Sequence, residues 1–181
     1  TSDPLFNFGT HSGGADGSVD FYLRQSGWST FGHAYSEQQP FDGNWHHIAW
    51  VQDNGARTFY VDGVADSLEI PDQEEGDWLV NNTSIGGILR ASASHWSTGI
   101  LDDVAIWKRA LSASEVAELA ASSVGDHLGG GGSDDPVAEG LVSHWPLDAI
   151  QGTKTPDVVS GYDMDITNLT ADDVVPGLSL I

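Results

Sequence analysis

The carboxylates are the side chains of this sequence with the widest choice of chemistry. Asp and Glu together number 27 against six Lys and Arg, so the formal net charge is −21 at pH 7. They are spread along the whole chain, which is typical of a surface kept soluble in a salty or secreted environment. Because hard cations prefer oxygen donors, some of these carboxylates are also candidate calcium ligands.

Two smaller groups of side chains could carry out catalysis. His46 and His47 could act as bases or bind a metal, but neighbouring residues on a strand point to opposite faces, so they cannot easily hold one ion. Paired acids such as Asp102 and Asp103 would serve a glycosidase only if two carboxylates converged across a cleft. We therefore expect no catalytic residue in either group.

The seven tryptophans could form a platform for sugars, since aromatic faces pack well against pyranose rings. Three of them fall within strand-like segments and are expected in core or rim positions: Trp45, Trp50 and Trp107. The candidates for ligand contact are those near loop signals: Trp28, Trp78 and Trp96. The alternative role for each of these three is a lid over the core.

The rest of the composition limits the class of protein. The acidic charge excludes nucleic acid as a partner, because that contact needs basic side chains opposite the phosphates. The sequence has no cysteine, so it offers neither disulfides nor thiolate chemistry. No apolar run is long enough to insert into a membrane. The N-terminus lacks the features of a signal peptide, and we expect the chain to begin within a longer precursor.

The clearest element that could position these side chains is a β-hairpin between residues 42 and 63. Asn54 and Gly55 separate two segments rich in β-branched and aromatic residues, and both tolerate the positive φ of a tight turn. A helix is predicted after Ser112, which forms a capping box with Glu115. Short strand-like segments between Gly, Asn and Asp fill the rest of the region before the helix, as in a β-sandwich.

Two motifs resemble the laminin-G-like branch of the concanavalin A-like jelly rolls, a superfamily that also includes pentraxin-type domains. One is the hairpin, which starts Gly-x-Trp-His-His-Ile-Ala and ends Tyr-Val-Asp-Gly. The other is the segment 99–112 with its helix, which resembles the closing strand and terminal helix of that family. The resemblance implies an all-β fold, an antiparallel β-sandwich of jelly-roll type with one short C-terminal helix. It also implies a domain that binds more often than it catalyses.

The order of the motifs is rotated relative to that family. Residues 1–123 resemble a sandwich without its opening strands, residues 124–139 are predicted to be a glycine-rich flexible linker, and residues 140–181 resemble the opening strands of a laminin-G-like domain. Three explanations remain open. The chain is a segment cut from a tandem array of domains, it is a circular permutant, or its last strands complete the sandwich of a neighbouring copy. Because an incomplete sandwich leaves sheet edges open, we expect completion by another segment.

The resemblance also suggests calcium ligands, because laminin-G-like domains often hold one ion at the sandwich rim through Asp side chains and backbone carbonyls. The matching positions are Asp16 in a glycine-rich loop, Asp62 at the hairpin end, and Asp102 or Asp103 in the closing segment. The alternative is structural. In that case Asp62 bonds the backbone of its own turn, and one of the Asp102 and Asp103 pair caps neighbouring amides.

We therefore expect a non-enzymatic, extracellular surface or adhesion module that binds glycan or protein through loops. Self-association with neighbouring copies is also expected, as in a filament subunit assembled by strand complementation. The alternative is an accessory carbohydrate-binding module of a secreted polysaccharide-degrading enzyme. A hydrolase comes third, because the alternating Glu residues that the glucanases of this superfamily carry on one strand do not occur here.

Overall fold

The computed structural model of the chain describes residues 5–10, 17–24, 30–68, 83–89, 93–94, 98–129, 135–166 and 171–174. The chain divides into two compact units, Thr1–Gly99 and Ile100–Ile181. In each unit the described strands pair antiparallel, as expected for the all-β class.

The described strands of the first unit form three antiparallel sheets. Its strands are β1 Leu5–Thr10, β2 Val19–Arg24, β3 Thr30–Tyr35, β4 Ile48–Asp53, β5 Ala56–Val61, β6 Val64–Ala65, β7 Ile88–Leu89 and β8 Ala93–Ser94. The sheet orders are β1-β2-β3, β4-β5-β6 and β7-β8. The predicted hairpin is confirmed: β4 pairs with β5, and the turn between them has Asn54 at φ 47° and Gly55 at φ 93°.

The first two sheets meet around an aromatic core. Val19 and Phe21 of β2 pack with Phe59 and Val61 of β5, and all four are almost completely buried. The ring centroid of Phe21 lies 4.9 Å from that of Phe59 and 4.5 Å from that of Trp50. Full burial of a Phe side chain contributes about 2 kcal/mol. Two inward faces that share one core form the predicted sandwich.

The second unit combines short strands with helices. Its elements are β9 Val104–Trp107, α1 Ala113–Ala121, α2 Val124–Gly129, β10 Leu141–Trp145, β11 Lys154–Thr155, β12 Met164–Asp165 and a 3-10 turn at Ala171–Asp173. The predicted capping box is confirmed. The Glu115 amide donates to Ser112 Oγ over 3.3 Å, and the Ser112 amide donates to Glu115 Oε2 over 2.7 Å.

The expectation of one short helix is corrected to two, because α2 follows α1. It occupies the start of the range predicted to be a linker, and carboxylates satisfy the amides at its first turn. Asp103 Oδ2 accepts from the Val124 amide over 2.8 Å, and Asp126 Oδ2 accepts from the Ser123 amide over 3.0 Å. Six residues are too few to show helical periodicity in the sequence, so the start of this helix depends on one local cap, between Ser123 and Asp126, and one tertiary cap from Asp103. Residues 130–134 of the predicted linker lie outside the described part of the chain.

Strand β10, in the segment that resembles an opening strand, pairs with β9 of the same chain. The pairing is antiparallel and places Trp145 opposite Val104. The chain before β10 is tied to the same strand, because Trp107 Nε1 donates to the Val137 carbonyl over 2.8 Å. Residues 135–145 are thus held by the closing strand of their own chain.

Candidate functional site

A histidine joins two loops at one end of the first unit. His46 precedes β4 and lies between two carboxylates: its Nδ1 is 2.7 Å from Asp62 Oδ2, and its Nε2 is 3.1 Å from Asp42 Oδ1. Asp62 lies in the turn after β5 and also accepts from the His47 amide over 2.9 Å. We call Asp42, His46 and Asp62 the His46 bracket. It holds the loop before β4 against the turn after β5.

The bracket favours the protonated imidazole. A carboxylate only accepts hydrogen bonds, so each ring nitrogen that faces one must carry a hydrogen. The hydrogen bond to Asp62 raises the pKa of His46 above its usual value; partial burial opposes this rise and the contact with Asp42 adds to it. The pKa of Asp42 is lowered, mainly by hydrogen bonds from Asn44 and to a smaller degree by His46.

The segments that the bracket joins also carry exposed apolar side chains. Phe41 and Trp45 lie in the loop before β4 and are 41% and 42% exposed, and Val64 follows the turn after β5 and is 64% exposed. We call Phe41, Trp45 and Val64 the rim surface. All three side chains stand on segments that the His46 bracket joins, and exposed apolar side chains on joined segments are candidates for an interaction site.

Trp45 is the exposed member of the three tryptophans expected in core or rim positions. Trp50 packs against the core residue Phe21, and Trp107 is half-buried. The sequence did not single out Trp45 because its motif is strand-like. The signal that could have placed it in a loop is the preceding Asp-Gly-Asn, where the Asn44 amide donates to Asp42 Oδ1 over 2.8 Å.

The structure describes only part of the predicted site. The ligand-binding candidates Trp28, Trp78 and Trp96 and the calcium candidate Asp16 lie outside the described residues, so their roles stay predictions. Of the other candidates, Asp62 belongs to the first unit, whereas Asp102 and Asp103 belong to the second. Among the residues that the structure describes, no group of three or more His, Asp or Glu side chains could hold a metal ion.

Two calcium candidates use both carboxylate oxygens within the protein. Asp62 contacts His46 Nδ1 through Oδ2 and accepts from the His47 amide through Oδ1. Asp103 accepts from the Val124 amide at the start of α2, and its other oxygen contacts Nε2 of the buried His144. Asp62 therefore contacts the segment before β4, 15 and 16 positions away, and Asp103 caps an amide 21 positions along the chain. A calcium ion at either carboxylate would have to share these oxygens with their present partners or displace them.

Asp157 is a buried carboxylate whose role the sequence did not reveal beyond its place in the opening motif. Its side chain accepts from the backbone amides of His144, Val159, Ser160 and Tyr162 over 3.0 to 3.3 Å. Burial alone would raise the pKa of Asp157, but these hydrogen bonds outweigh it and hold the pKa at about 2. Asp157 therefore fixes the loop after β11 to β10.

A hydroxyl, an imidazole and a carboxylate lie in line after α1. Ser122 Oγ is 2.9 Å from His127 Nε2, and His127 Nδ1 is 2.9 Å from Asp135 Oδ2. Ser122 Oγ also donates to the Glu118 carbonyl over 2.7 Å, and a hydroxyl has only one hydrogen to give. The imidazole is therefore not placed to activate the serine. The arrangement instead joins α2 to the chain that enters β10.

No helix in the described part of the chain has both the length and the apolar character that a membrane crossing requires.

Comparison with known proteins found three similarities. The model of the Laminin_G_3 family, described as the concanavalin A-like lectin/glucanases superfamily, matches residues 2–117. The human adhesion G-protein coupled receptor D1 is 27% identical over 119 residues, which is 64% of this chain but only 13% of the receptor. A crystal structure of an S-layer domain-containing protein from Clostridium thermocellum has a TM-score of 0.40 and 24% identity, over 66% of this chain and 64% of that chain. Since the family match covers more than half of the sequence, the chain belongs to the Laminin_G_3 family of the concanavalin A-like superfamily.

Proposed function

We propose that this chain is a non-enzymatic module of an extracellular or cell-surface protein, which mediates adhesion by binding glycan or protein at the rim surface. The observation that carries this proposal is the exposure of Trp45 beside a loop held by the His46 bracket. Membership of the Laminin_G_3 family supports a binding role. The similarity to a receptor named for adhesion supports the surface location.

The His46 bracket supports binding because it reduces the disorder that a ligand would otherwise have to remove. Ordering a loop and its side chains on association costs free energy, so a loop already held by hydrogen bonds loses less. Trp45 then offers an exposed apolar face in the same loop as Asp42 and Asn44, whose side chains are hydrogen-bonded to each other. A sugar ring or an apolar side chain of a protein can stack on such a face.

The use of carboxylates in this chain supports binding over hydrolysis. Asp66 in the first unit accepts from the amides of Glu37, Gln38 and Leu68 over 2.8 to 3.1 Å. Asp157 does the same for amides in the second unit. A carboxylate whose oxygens are occupied by amides is not free to meet a substrate as acid or nucleophile.

Arrays of glycans and of immobilised extracellular-matrix proteins test the proposal, followed by affinity measurements on the strongest ligand. Trp45→Ala is expected to weaken binding at least about tenfold, as for a central aromatic contact. The control is Tyr162→Ala, an aromatic of the second unit that is 69% exposed, with an expected effect below about twofold. Unchanged binding by Trp45→Ala, or hydrolysis of a bound glucan, would contradict the proposal.

The accessory carbohydrate-binding module is the second candidate, and the exposed Trp45 favours it for the same stacking reason. The two candidates differ in their ligands. A monomer that binds soluble plant or algal polysaccharides, and none of the immobilised proteins, would support the accessory module. Binding to matrix proteins or to intact cells would support adhesion.

Strand complementation between copies stays a separate proposal. In the structure β10 pairs with β9 of its own chain, so a filament would require β10 to leave that strand and reach the β9 of a neighbour. Light scattering over a range of protein concentrations distinguishes the two arrangements. Masses at multiples of the subunit would support complementation, and a constant monomer mass would exclude it.

Calcium binding is proposed only at the positions that the family resemblance suggests. A modest rise in melting temperature on addition of calcium is expected if Asp62 or Asp103 exchanges its present contacts for the ion. Asp62→Asn and Asp103→Asn should each show which carboxylate is responsible. No shift at saturating calcium would remove this proposal.

A further inference from the structure

The second unit contains an open groove of about 210 Å³ beside the end of β10. It is lined by Pro146, Leu147, Asp148, Ala149, Pro156 and Val158. Five of these six residues are apolar, and Val158 is 55% exposed. None of them belongs to the rim surface or to the His46 bracket, so the groove is independent of the function proposed above.

The groove is held in shape by the backbone on both of its sides. On one side Leu147 has φ 63°, a left-handed conformation that a bulky residue adopts only when its surroundings enforce it. On the other side Pro156 precedes Asp157, whose carboxylate fixes the following loop through amide hydrogen bonds. Val158 is also bound back to β10, since its amide donates to the His144 carbonyl over 2.9 Å. A ligand would therefore meet a groove that is already formed.

The size and lining of the groove favour an aliphatic side chain over a sugar. Sites for small molecules usually measure roughly 300 to 1,000 Å³, so this groove suits one or two side chains. None of the lining residues is aromatic, so the groove lacks the flat face on which a pyranose ring stacks. The nearby Trp145 is buried, and its Nε1 donates to the Tyr162 carbonyl over 3.0 Å.

The charge around the groove favours a basic partner. Asp148 is exposed, lines the groove, and has no hydrogen bond or ion pair among the residues that the structure describes. Two of the basic side chains in this unit are already paired, Arg109 with Glu115 and Lys154 with Asp165. With a net charge of −21 for the chain, a cationic ligand is attracted and an acidic one is repelled.

From this geometry we propose that the groove binds an extended protein segment in which an aliphatic side chain is flanked by Lys or Arg. The aliphatic side chain enters between Leu147 and Val158, and a flanking cation pairs with Asp148. The apolar contact supplies most of the affinity, because an exposed ion pair adds little. The cation orients the bound segment and increases the rate at which it associates.

The test uses the full chain and three labelled peptides of equal length, followed by fluorescence anisotropy and by amide shifts in NMR spectra. The first peptide has leucines flanked by lysines, the second has serine in place of leucine, and the third has glutamate in place of lysine. Only the first is expected to bind and to shift the amides of Leu147, Ala149 and Val158. Equal binding of the serine peptide would overturn the proposal, because it would show attraction by charge alone.

Matched variants locate the site. Val158→Asp is expected to weaken binding of the first peptide at least about tenfold, and Asp148→Asn roughly threefold, as for an exposed ion pair. The control Val159→Asp places the same charge on the same loop at a residue that does not line the groove and is 38% exposed. Equal losses for the Val158 and Val159 variants would overturn the proposal. Trp45→Ala should leave peptide binding unchanged, so failure of the rim proposal and failure of this one are distinguishable.

Discussion

The two units of this chain are stabilised in different ways. In the first unit, apolar side chains from two facing sheets meet in one core around Phe21 and Phe59. In the described residues of the second unit, the buried apolar residues come from helices, loops and the strand β10: Leu111, Val116, Leu119, Val124, Val137 and Trp145. Polar side chains hold these pieces together. The difference shows that short strands joined by long loops need side chains that satisfy the loop amides, since buried amides must be paired.

Arg109 is the clearest example of such a polar contact. Its Nη1 and Nη2 donate to the two oxygens of Glu115 over 3.0 and 2.5 Å, and its Nε donates to the Glu139 carbonyl over 2.7 Å. The hydrogen bond from Arg109 lowers the pKa of Glu115 to about 2. One guanidinium thus joins the start of α1 to the chain that enters β10.

The largest expected effect is on the apolar core of the first unit. Phe21→Ala removes a completely buried ring and should reduce the free energy of unfolding by about 3 to 5 kcal/mol. Denaturant unfolding followed by tryptophan fluorescence measures the loss. The control Phe41→Ala, at an exposed position, should change stability by less than about 0.5 kcal/mol. Hydrogen exchange shows whether the loss is confined to the first unit. If the amides of β10 lose as much protection in Phe21→Ala as those of β4 and β5, the two units unfold together and are not stabilised separately.

The next effect is on the polar framework of the second unit. Asp157→Ala leaves the amides that donate to this carboxylate without a partner. It should reduce the free energy of unfolding by about 3 kcal/mol. Hydrogen exchange at Val159, Ser160 and Tyr162 should rise before that of β4 and β5. Asp165→Ala is the control, because its side chain is 81% exposed. An equally mild effect of both variants would contradict the role given to Asp157.

Acid should act on the second unit before the first. The pKa values of Asp157 and Glu115 are about 2 in the folded chain, below their ordinary values of 3.8 and 4.5. A lowered pKa contributes stability that is present above the ordinary value and is lost as the pH falls towards the folded value. Protonation of each group should therefore reduce the free energy of unfolding by about 2 to 3 kcal/mol between pH 4.5 and pH 2, more for Glu115 than for Asp157. Asp157→Asn should make the free energy of unfolding depend less on pH in this range. An unchanged pH dependence in this variant would show that Asp157 is not its source.

The smallest effect is expected at the His46 bracket and has the opposite sign. Because the pKa of His46 is raised, its stabilisation is present below the ordinary value and is lost as the pH rises through the raised value. The loss should stay below about 1 kcal/mol, since both carboxylates are about half exposed. Unfolding free energies between pH 6 and pH 9, compared with His46→Gln, measure it. Identical pH profiles for the two proteins would rule out a stabilising bracket.

Features that depend on short-range preferences were predictable from the sequence. The β4-β5 hairpin followed from Asn54 and Gly55, and the start of α1 followed from Ser112 and Glu115. The laminin-G-like motifs of the first two-thirds also identified the family correctly. The helix α2 was missed because it is too short to show periodicity and because one of its first amides is capped by Asp103, 21 positions before Val124; the Ser123 and Asp126 pair, which cap each other, was the local signal that could have indicated it.

The sequence by itself determined the strands, turns and capped helix of this protein, because backbone conformation and capping depend on a few neighbouring residues. Only the tertiary structure decided which partner each carboxylate has. Asp62 meets His46 across a loop, Asp103 meets His144, and Asp157 serves the amides around β10. It also pairs β10 with β9 of the same chain, a contact that no local motif specifies. Such choices depend on which distant segments the fold brings within hydrogen-bonding distance, and no local pattern contains that information.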